Sequence, residues 1–245
     1  MNEATAPLLR LWVYLGASPL LWLSVTVCAF VAAARVQRGL RGTPWANPVL
    51  LSVLLLLALL LGTGTPYERY FEGAQFVHFL LGMATVSLAV PLRRHWDAVK
   101  AALPAMSAAL VVGNLAGSVS AMAILAWFQA PVPVVLSIAP KSVTAPVAMG
   151  ISEKIGGLPP LTAVLVVSNG IFGAIVATPL LNLLRLRDPA GRGFAVGIAA
   201  HGIGTARAFQ LNETAGTFAG IGMAASTLVA SVLVPVLARW FGAAP

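Results

Sequence analysis

The stretch VPVVLSIAPKSVTAPVAMGI, residues 132–151, decides the fold, because it is as apolar as a membrane helix but carries three prolines and Lys141. Proline lacks a backbone N–H and clashes with the preceding turn, so this run is not one continuous helix. A second run, FAVGIAAHGIGTARAF at residues 194–209, contains His201, Arg207 and several glycines. Non-helical backbone at membrane depth is tolerated only where it is buried in protein or lines a wet cavity. The two broken runs therefore predict the position of the functional site.

The composition excludes an ordinary soluble protein. Of 245 residues, 59% are hydrophobic and only 9% are charged, and the net charge is +8. A soluble domain carries about 25% charged residues, which cover the surface that meets water. Nucleic-acid binding needs cations clustered on one face. Here they lie in short gaps between apolar runs, chiefly Arg35–Arg41, Arg93–Lys100 and Arg185–Arg192, which is typical of a membrane protein without a nucleic-acid partner.

Long apolar runs without period-two alternation argue against membrane β-strands. Because a spanning helix needs about 20 mostly apolar residues, we predict an all-α, polytopic membrane protein with about 7–8 transmembrane segments, broken or re-entrant helices, and a single domain over 1–245. The runs are Pro19–Val36, Pro48–Gly62, Ala74–Leu92, Ala102–Phe128, Val132–Ile151, Leu158–Leu184, Phe194–Phe209 and Ala215–Phe241. Residues before Ser18 are expected to form a short interfacial helix.

The positions of Lys and Arg predict the topology, because cytoplasmic loops carry the excess of cations. The three basic gaps and Arg239 are predicted on the cytoplasmic side, and the neutral or acidic gaps Tyr67–Glu72 and Asn212–Thr214 outside. This count is consistent only if residues 132–151 form a re-entrant hairpin broken at the prolines. It gives an outer N-terminus and a cytoplasmic C-terminus.

Weak internal similarity suggests an inverted repeat. Residues 82–91, GMATVSLAVP, align with residues 197–206, GIAAHGIGTA, in runs of opposite predicted direction. The repeats are placed at about 19–128 and about 131–241, an arrangement typical of transporters whose binding site lies at the membrane midplane. Chance similarity in a chain rich in Ala, Gly and Val is the alternative explanation.

Two cations and one histidine stand inside the broken runs. Lys141 is costly there and by default marks a functional site, with snorkelling to the interface as the alternative. Arg207 offers a planar fork that matches a carboxylate, with a headgroup contact as the alternative. His201 suits proton coupling, although a buried packing role explains it equally well.

Hydroxyl side chains and chain breaks accompany these charges. Ser142, Thr144 and Thr205 are predicted to bind substrate oxygens, with helix capping as the alternative. Proline and glycine predict the structural breaks, which are Pro140, Pro146, Gly202, Gly204 and Pro91.

No motif for catalysis or metal binding occurs in the sequence. It has no HExxH, no paired cysteines, no Walker loop, no Rossmann glycines and no two carboxylates within one apolar run. We therefore expect neither enzymatic activity nor a metal or cofactor. Asn114 and Asn169 are interpreted as polar contacts between closely packed helices.

Two long motifs resemble the LrgB/CidB family, which includes the plastidal glycolate/glycerate translocator. They are PKSVTAPVAM at residues 140–149 and HGIGTARA at residues 201–208, and the resemblance extends over about 18–235. The chain departs from the family at Met83, Arg93 and Ala200, where Pro, Tyr and Ser are common; the last departure removes a hydroxyl beside His201.

The resemblance implies two competing functions. One is transport of small monocarboxylates or hydroxy acids such as glycolate, glycerate, lactate or pyruvate. The other is antiholin-like control of murein hydrolase export, with a small LrgA/CidA-type membrane partner. It also implies a multi-pass protein of the bacterial inner membrane, with a homo-oligomer as a further expectation. Because a holin-type module has no need of a midplane Lys and Arg, the residues favour a carrier in which Lys141 and Arg207 neutralise the carboxylate.

Overall fold

The computed structural model describes the backbone of residues 18–40, 42–87 and 89–242, with side chains except at 44, 78, 81, 82, 84–87, 89, 91 and 92. The interfacial helix predicted before Ser18 lies outside the described residues. Every regular element in these ranges is helical, which confirms the all-α prediction. The helices are α1 (Pro19–Gly39), α2 (Pro48–Thr63), α3 (Tyr67–Ser87), α4 (Ala89–Arg94), α5 (Trp96–Trp127), α6 (Val132–Ile138), α7 (Ala145–Ile155), α8 (Pro159–Leu183), α9 (Pro189–Leu211) and α10 (Glu213–Ala238), with 3₁₀ turns at Pro44–Ala46 and Arg239–Phe241.

Four of these helices are long and apolar enough to cross a membrane. They are α1, α5, α8 and α10 with its 3₁₀ extension to Phe241. The described chain thus has the helices of a polytopic membrane protein. The remaining predicted runs are shorter, more polar or interrupted.

The chain divides into two compact units, Met1–Ser87 and Leu88–Pro245. In the first, the rings of Trp22 and Tyr70 pack edge to face between α1 and α3, with centroids 6.0 Å apart. The second unit holds α4–α10 and contains both broken runs. The unit boundary differs from the repeat boundary predicted near residues 128–131, and those repeats stay a prediction.

Side-chain caps and prolines fix where several helices begin. Asp188 accepts a hydrogen bond from the backbone N–H of Gly191 (2.7 Å) ahead of α9, and Asn212 accepts one from that of Ala215 (3.0 Å) ahead of α10. Such caps satisfy N–H groups that have no partner within the helix. Pro189 occupies the first turn of α9, where a missing N–H costs nothing.

Helices α6 and α7 form a hairpin with its tip at residues 139–144, called hairpin 1. Thr162 Oγ1 on α8 donates to the backbone oxygen of Ser137 before the tip (3.0 Å) and to Oγ of Ser152 after it (2.7 Å). The backbone oxygen of Lys141, at the tip, instead reaches the side chain of Asn169 (3.3 Å). Thr162 and Asn169 are seven residues, or about 10 Å, apart along α8. Hairpin 1 therefore runs along α8 from Thr162 to Asn169 and back again, as predicted for a re-entrant hairpin.

Helix α9 also turns back on itself, which the sequence did not predict, and is called hairpin 2. Its backbone is non-helical at residues 200 and 201, between a first and a second arm. A Cβ on Gly204 would lie 2.9 Å from Cγ1 of Val196, whereas residues eight apart in a straight helix are about 12 Å apart. Gly193 in the first arm packs on Ala215 of α10, and Phe209 in the second arm packs on Gly216 of the same helix. The first arm therefore begins, and the second arm ends, beside the beginning of α10.

The two hairpins enter the second unit from opposite ends. Leu158, after hairpin 1, donates its N–H to Ser137 Oγ (2.8 Å), and Gly242 lies beside Val132, so these residues mark the Val132 end. The base of hairpin 2 lies at the other end, called the Arg94 end, where Arg94 pairs with Glu213 (3.7 Å). A helix followed by a hairpin thus occurs twice in opposite directions, as α5 with hairpin 1 and α8 with hairpin 2.

Hairpin 2 corrects part of the predicted topology. Because run 194–209 turns back instead of crossing, Asn212–Thr214 lies at the same end as Arg94, whereas the charge count places them on opposite sides. Helix α10 then runs from the Arg94 end to the Val132 end. Arg239 therefore lies at the opposite end from Arg94, and not on its side as predicted.

The breaks also differ in position from several predicted residues. Pro140 lies in the tip of hairpin 1 as predicted, but Pro146 stands in the first turn of α7, where proline is tolerated. Gly202 and Gly204 are helical, because the turn falls just before them at Ala200 and His201. Pro91 lies inside α4, after α3 has ended at Ser87.

Candidate functional site

Asn169 on α8 joins the tips of the two hairpins. Its Nδ2 donates to the backbone oxygen of Ala199 (2.7 Å), directly before the turn of hairpin 2, and to that of Lys141 (3.3 Å) in hairpin 1. A carbonyl at a helix break has lost its intrahelical donor and needs another partner in a low-dielectric interior. One amide group thus supplies a donor to both interruptions and fixes their separation.

The tip of hairpin 2 is held by His201. This residue has φ 40° and ψ −136°, an uncommon conformation for a side chain with a Cβ. Its Nε2 lies 3.0 Å from the backbone oxygen of Val166, and because a carbonyl only accepts, Nε2 carries the proton. Gly170 leaves the room for the ring, since a Cβ there would lie 2.7 Å from Nε2. The hydroxyl of Thr205 donates to the backbone oxygen of His201 (2.8 Å) and completes the turn.

The tip of hairpin 1 presents a lysine to the glycine face of α5. Ser118 Oγ donates to the backbone oxygen of Ala139 (2.9 Å), which holds the tip against α5. A Cβ on Gly117 would lie 3.7 Å from Ser142 Oγ and 3.9 Å from Lys141 Nζ. Among the described residues, Nζ of Lys141 forms neither an ion pair nor a hydrogen bond. The ammonium is therefore available to an anion.

A cavity of about 530 Å³, called cavity A, leads to this lysine. Its inner end is formed by Lys141, Ser142 and Asn169, and its other end by Ala102 of α5 and Asp188. From Ala102 to Gly117 the helix rises about 22 Å. Cavity A thus extends from the Arg94 end to the hairpin tips. Small residues keep it open along α5, namely Ala105, Ala109, Gly113 and Gly117.

The length of the hairpins places their tips near the middle of a bilayer. Helix α7 has 11 residues, and α9 has 23 residues divided between two arms. At about 1.5 Å per residue α7 and each arm of hairpin 2 are about 17 Å long, close to half of a hydrocarbon core of about 30 Å. Lys141 thus lies at the end of a cavity between two hairpins of this length.

The profile of the LrgB-like family matches residues 26–240. The chain belongs to this family. No solved structure matches this LrgB-like protein. YxaC of Bacillus subtilis, described as uncharacterized, is 34% identical over 218 residues, 89% of this chain and 94% of its own length. The holin-like protein CidB of Staphylococcus aureus is 29% identical over 222 residues, 91% of this chain and 96% of its own length.

The structure of the LrgB-like chain separates the predicted site residues into groups. Lys141 and Ser142 line cavity A. Arg207 lines a different cavity, called cavity B, on the opposite face of the first arm of hairpin 2. The two cations predicted to share one carboxylate are therefore not brought together. Thr205 stabilises the turn of hairpin 2, and Thr144 precedes α7 without a side-chain capping bond.

Asn169 is the residue whose role the sequence interpretation missed. It does form polar contacts between packed segments, as interpreted, but its partners are the two hairpin tips and it also lines cavity A. The available signal was a polar side chain in the middle of the apolar run Leu158–Leu184, where an amide without a hydrogen-bond partner is costly. The sequence alone did not reveal that two carbonyls from distant segments converge there.

Replacing Asn169 by alanine is expected to destabilise the LrgB-like protein by about 1–3 kcal/mol, because the backbone oxygens of Lys141 and Ala199 lose their donor. The midpoint of thermal unfolding in detergent measures this loss. Ser168→Ala, at the neighbouring exposed position, is the control and should unfold like the wild type. Equal midpoints for Asn169→Ala and wild type would show that the tips do not depend on this amide.

Proposed function

We propose that this LrgB-like protein is a secondary carrier of small monocarboxylates or hydroxy acids, of the glycolate, glycerate, lactate or pyruvate class. The observation that carries the proposal is the ammonium of Lys141 at the inner end of cavity A, where no described residue pairs with it. Lys141 is half-buried, and a partly desolvated cation without a partner carries a cost that an anionic ligand would offset. Such a cost persists where function requires it.

The chemistry of cavity A fits one carboxylate with a neighbouring oxygen. In this proposal Lys141 takes the carboxylate, and the hydroxyl of Ser142 binds the hydroxyl or keto oxygen. Cavity A has mostly alanine, glycine and other apolar walls beyond these groups, which favours a small substrate with a short carbon chain. Arg207 makes no contact with this substrate in the present conformation, because it lines cavity B.

Ion coupling is part of the proposal, with His201 as the coupling residue. Since Nε2 donates to the backbone oxygen of Val166, a coupling proton would bind Nδ1. Protonation there would place a charge beside Ala200, at the turn of hairpin 2. A change of charge at this turn is a physical means of linking a proton to movement of the hairpin.

We propose a multi-pass orientation in the bacterial inner membrane with the Arg94 end in the cytoplasm. That end holds Arg93, Arg94 and the basic loop Arg185–Arg192. The positive-inside rule favours this orientation. Cavity A then faces the cytoplasm, and alternating access requires a second conformation in which Lys141 is reached from the Val132 end.

The name of a relative favours a second function. CidB of Staphylococcus aureus is called holin-like, so antiholin-like control of murein hydrolase export, with a small LrgA/CidA-type partner or a homo-oligomer, is the alternative proposal. A holin-type assembly needs helices that associate, and it gives no role to a cavity that ends at an unpaired lysine. The geometry therefore favours the carrier.

Uptake into proteoliposomes tests the two proposals against each other. The purified chain should import labelled glycolate, lactate, glycerate or pyruvate with saturation, should be competed by the unlabelled acid, and should deliver the substrate chemically unchanged. Vesicles must at the same time retain an enclosed dye. Release of the dye without selective uptake would favour the holin-like function, and inert vesicles would contradict the carrier.

A further inference from the structure

We propose that cavity B binds a phosphate group, at a site separate from cavity A. Cavity B has a volume of about 340 Å³ and lies at the Arg94 end. Three arginines from three segments line it: Arg187 in the α8–α9 loop, Arg192 in the first arm of hairpin 2, and Arg207 in the second arm. The proposal does not rest on the carrier function, because it uses neither Lys141 nor Ser142.

The positive charge of cavity B is not balanced by its own walls. Among the described residues that line it there is no carboxylate. The nearby acids are engaged elsewhere, since Asp188 caps α9 and Glu213 pairs with Arg94. Three guanidinium groups around one concave space therefore favour an anion with more than one charged oxygen.

Neutral partners orient two of the arginines. Nη1 of Arg192 donates to Oδ1 of Asn182 (2.7 Å) and to the backbone oxygen of Leu186 (3.0 Å). Nη1 of Arg207 donates to Oε1 of Gln210 (3.1 Å). The partners of Arg192 hold its side chain without cancelling its charge. A planar guanidinium fork fixed in this way matches the oxygens of a phosphate better than a lysine would.

The remaining walls of cavity B are apolar and indicate what the phosphate carries. Leu181, Val196, Leu211 and several alanines line it beside the arginines. Cavity B lies near the ends of α8 and α10, which are long enough to cross a membrane, and basic pockets between such helices bind anionic headgroups. A phosphomonoester or phosphodiester with an apolar substituent fits both the arginines and the apolar walls of cavity B. Its source is a phospholipid or a soluble phosphate compound.

Binding of two probes to the purified full chain in detergent tests the site. Dioctanoyl phosphatidylglycerol represents the lipid source and inorganic phosphate the soluble source, each titrated while the unfolding midpoint and a thermophoretic signal are followed. We expect saturable binding, weakened about tenfold or more by Arg187→Gln, because a charge-assisted contact is lost. Arg185→Gln, which removes the same charge two residues away outside the cavity lining, should leave the affinity within about twofold of wild type.

Each outcome has a defined meaning. Binding of phosphatidylglycerol alone with dependence on Arg187 identifies a headgroup site, and the same dependence with inorganic phosphate identifies a soluble ligand. Lys141→Gln should bind both probes like the wild type, which separates this site from the carrier proposal. Equal loss in Arg185→Gln and Arg187→Gln, or no saturable binding of either probe, overturns the proposal. Arg192→Lys keeps the charge but loses the fork, and unaltered binding in that variant would also contradict it.

Discussion

Lys141→Gln is expected to abolish carboxylate uptake. The ammonium lies at the inner end of cavity A and no described residue neutralises it, so the substrate loses its counter-charge inside the membrane. Removing one partner of a desolvated ion pair costs about 3–5 kcal/mol, which lowers the affinity by a factor of about 150 to 4,000. The initial rate of labelled uptake into proteoliposomes, measured over a range of substrate concentrations, is the readout.

Lys154→Gln is the matched control for this variant. Lys154 lies in the same hairpin but is exposed, so its loss should leave uptake unchanged. Lys141→Gln should also unfold at or above the wild-type midpoint, since the neutral side chain removes a desolvation cost and breaks no observed contact. Uptake at the wild-type rate by a folded Lys141→Gln protein would contradict the assignment of cavity A as the binding site.

Hairpin 1 could be predicted from the sequence because its determinants are local. Three prolines within residues 132–151 each limit the helix at their own positions. The structure places Pro133 and Pro146 in first turns and Pro140 in the tip. The charge count added the re-entrant course, because a full crossing by residues 132–151 would have placed Arg185–Arg192 outside.

Hairpin 2 could not be predicted because its determinants come from other helices. No proline marks the turn, and Gly202, the obvious candidate, is helical. The turn at Ala200 and His201 is stabilised instead by the backbone oxygen of Val166 and the amide of Asn169 on α8. Contacts of this kind leave no local pattern, and a hydropathy count reads the run as one crossing.

The site was predicted only in part, because the position of one of its residues depends on the tertiary contacts of hairpin 2. Lys141 stands out in the sequence because a lone charge in an apolar run is rare. Arg207 stands out equally, but hairpin 2 places its second arm beside cavity B. Which of two such cations reaches a cavity depends on the direction in which the chain turns at His201. That direction is a tertiary property.

Gly197→Ala is expected to be among the most destabilising single methyl additions in this protein. A Cβ on Gly197 in the first arm of hairpin 2 would overlap the backbone oxygen of Ala219 and lie 2.8 Å from its Cα. Backbone atoms of α10 cannot rotate away, so the two helices must separate. Overpacking costs typically about 1–3 kcal/mol and occasionally more, and we expect about 3 kcal/mol here because the clash is with backbone. The unfolding midpoint in detergent should fall by about 6–12 °C.

Gly202→Ala, five residues further along the same helix, is the control and should have the opposite sign. The nearest atom to a Cβ there is Sδ of Met223 at 3.8 Å, an ordinary contact, and Gly202 is helical. Replacing a helical glycine by alanine stabilises a protein by about 0.4–1 kcal/mol where the space exists. If Gly202→Ala proves the more damaging variant, the chain turns at the glycines, as the sequence predicts, and hairpin 2 does not turn at His201. If Gly197→Ala alone is damaging, hairpin 2 and α10 are packed as described, since only that arrangement brings Ala219 against Gly197.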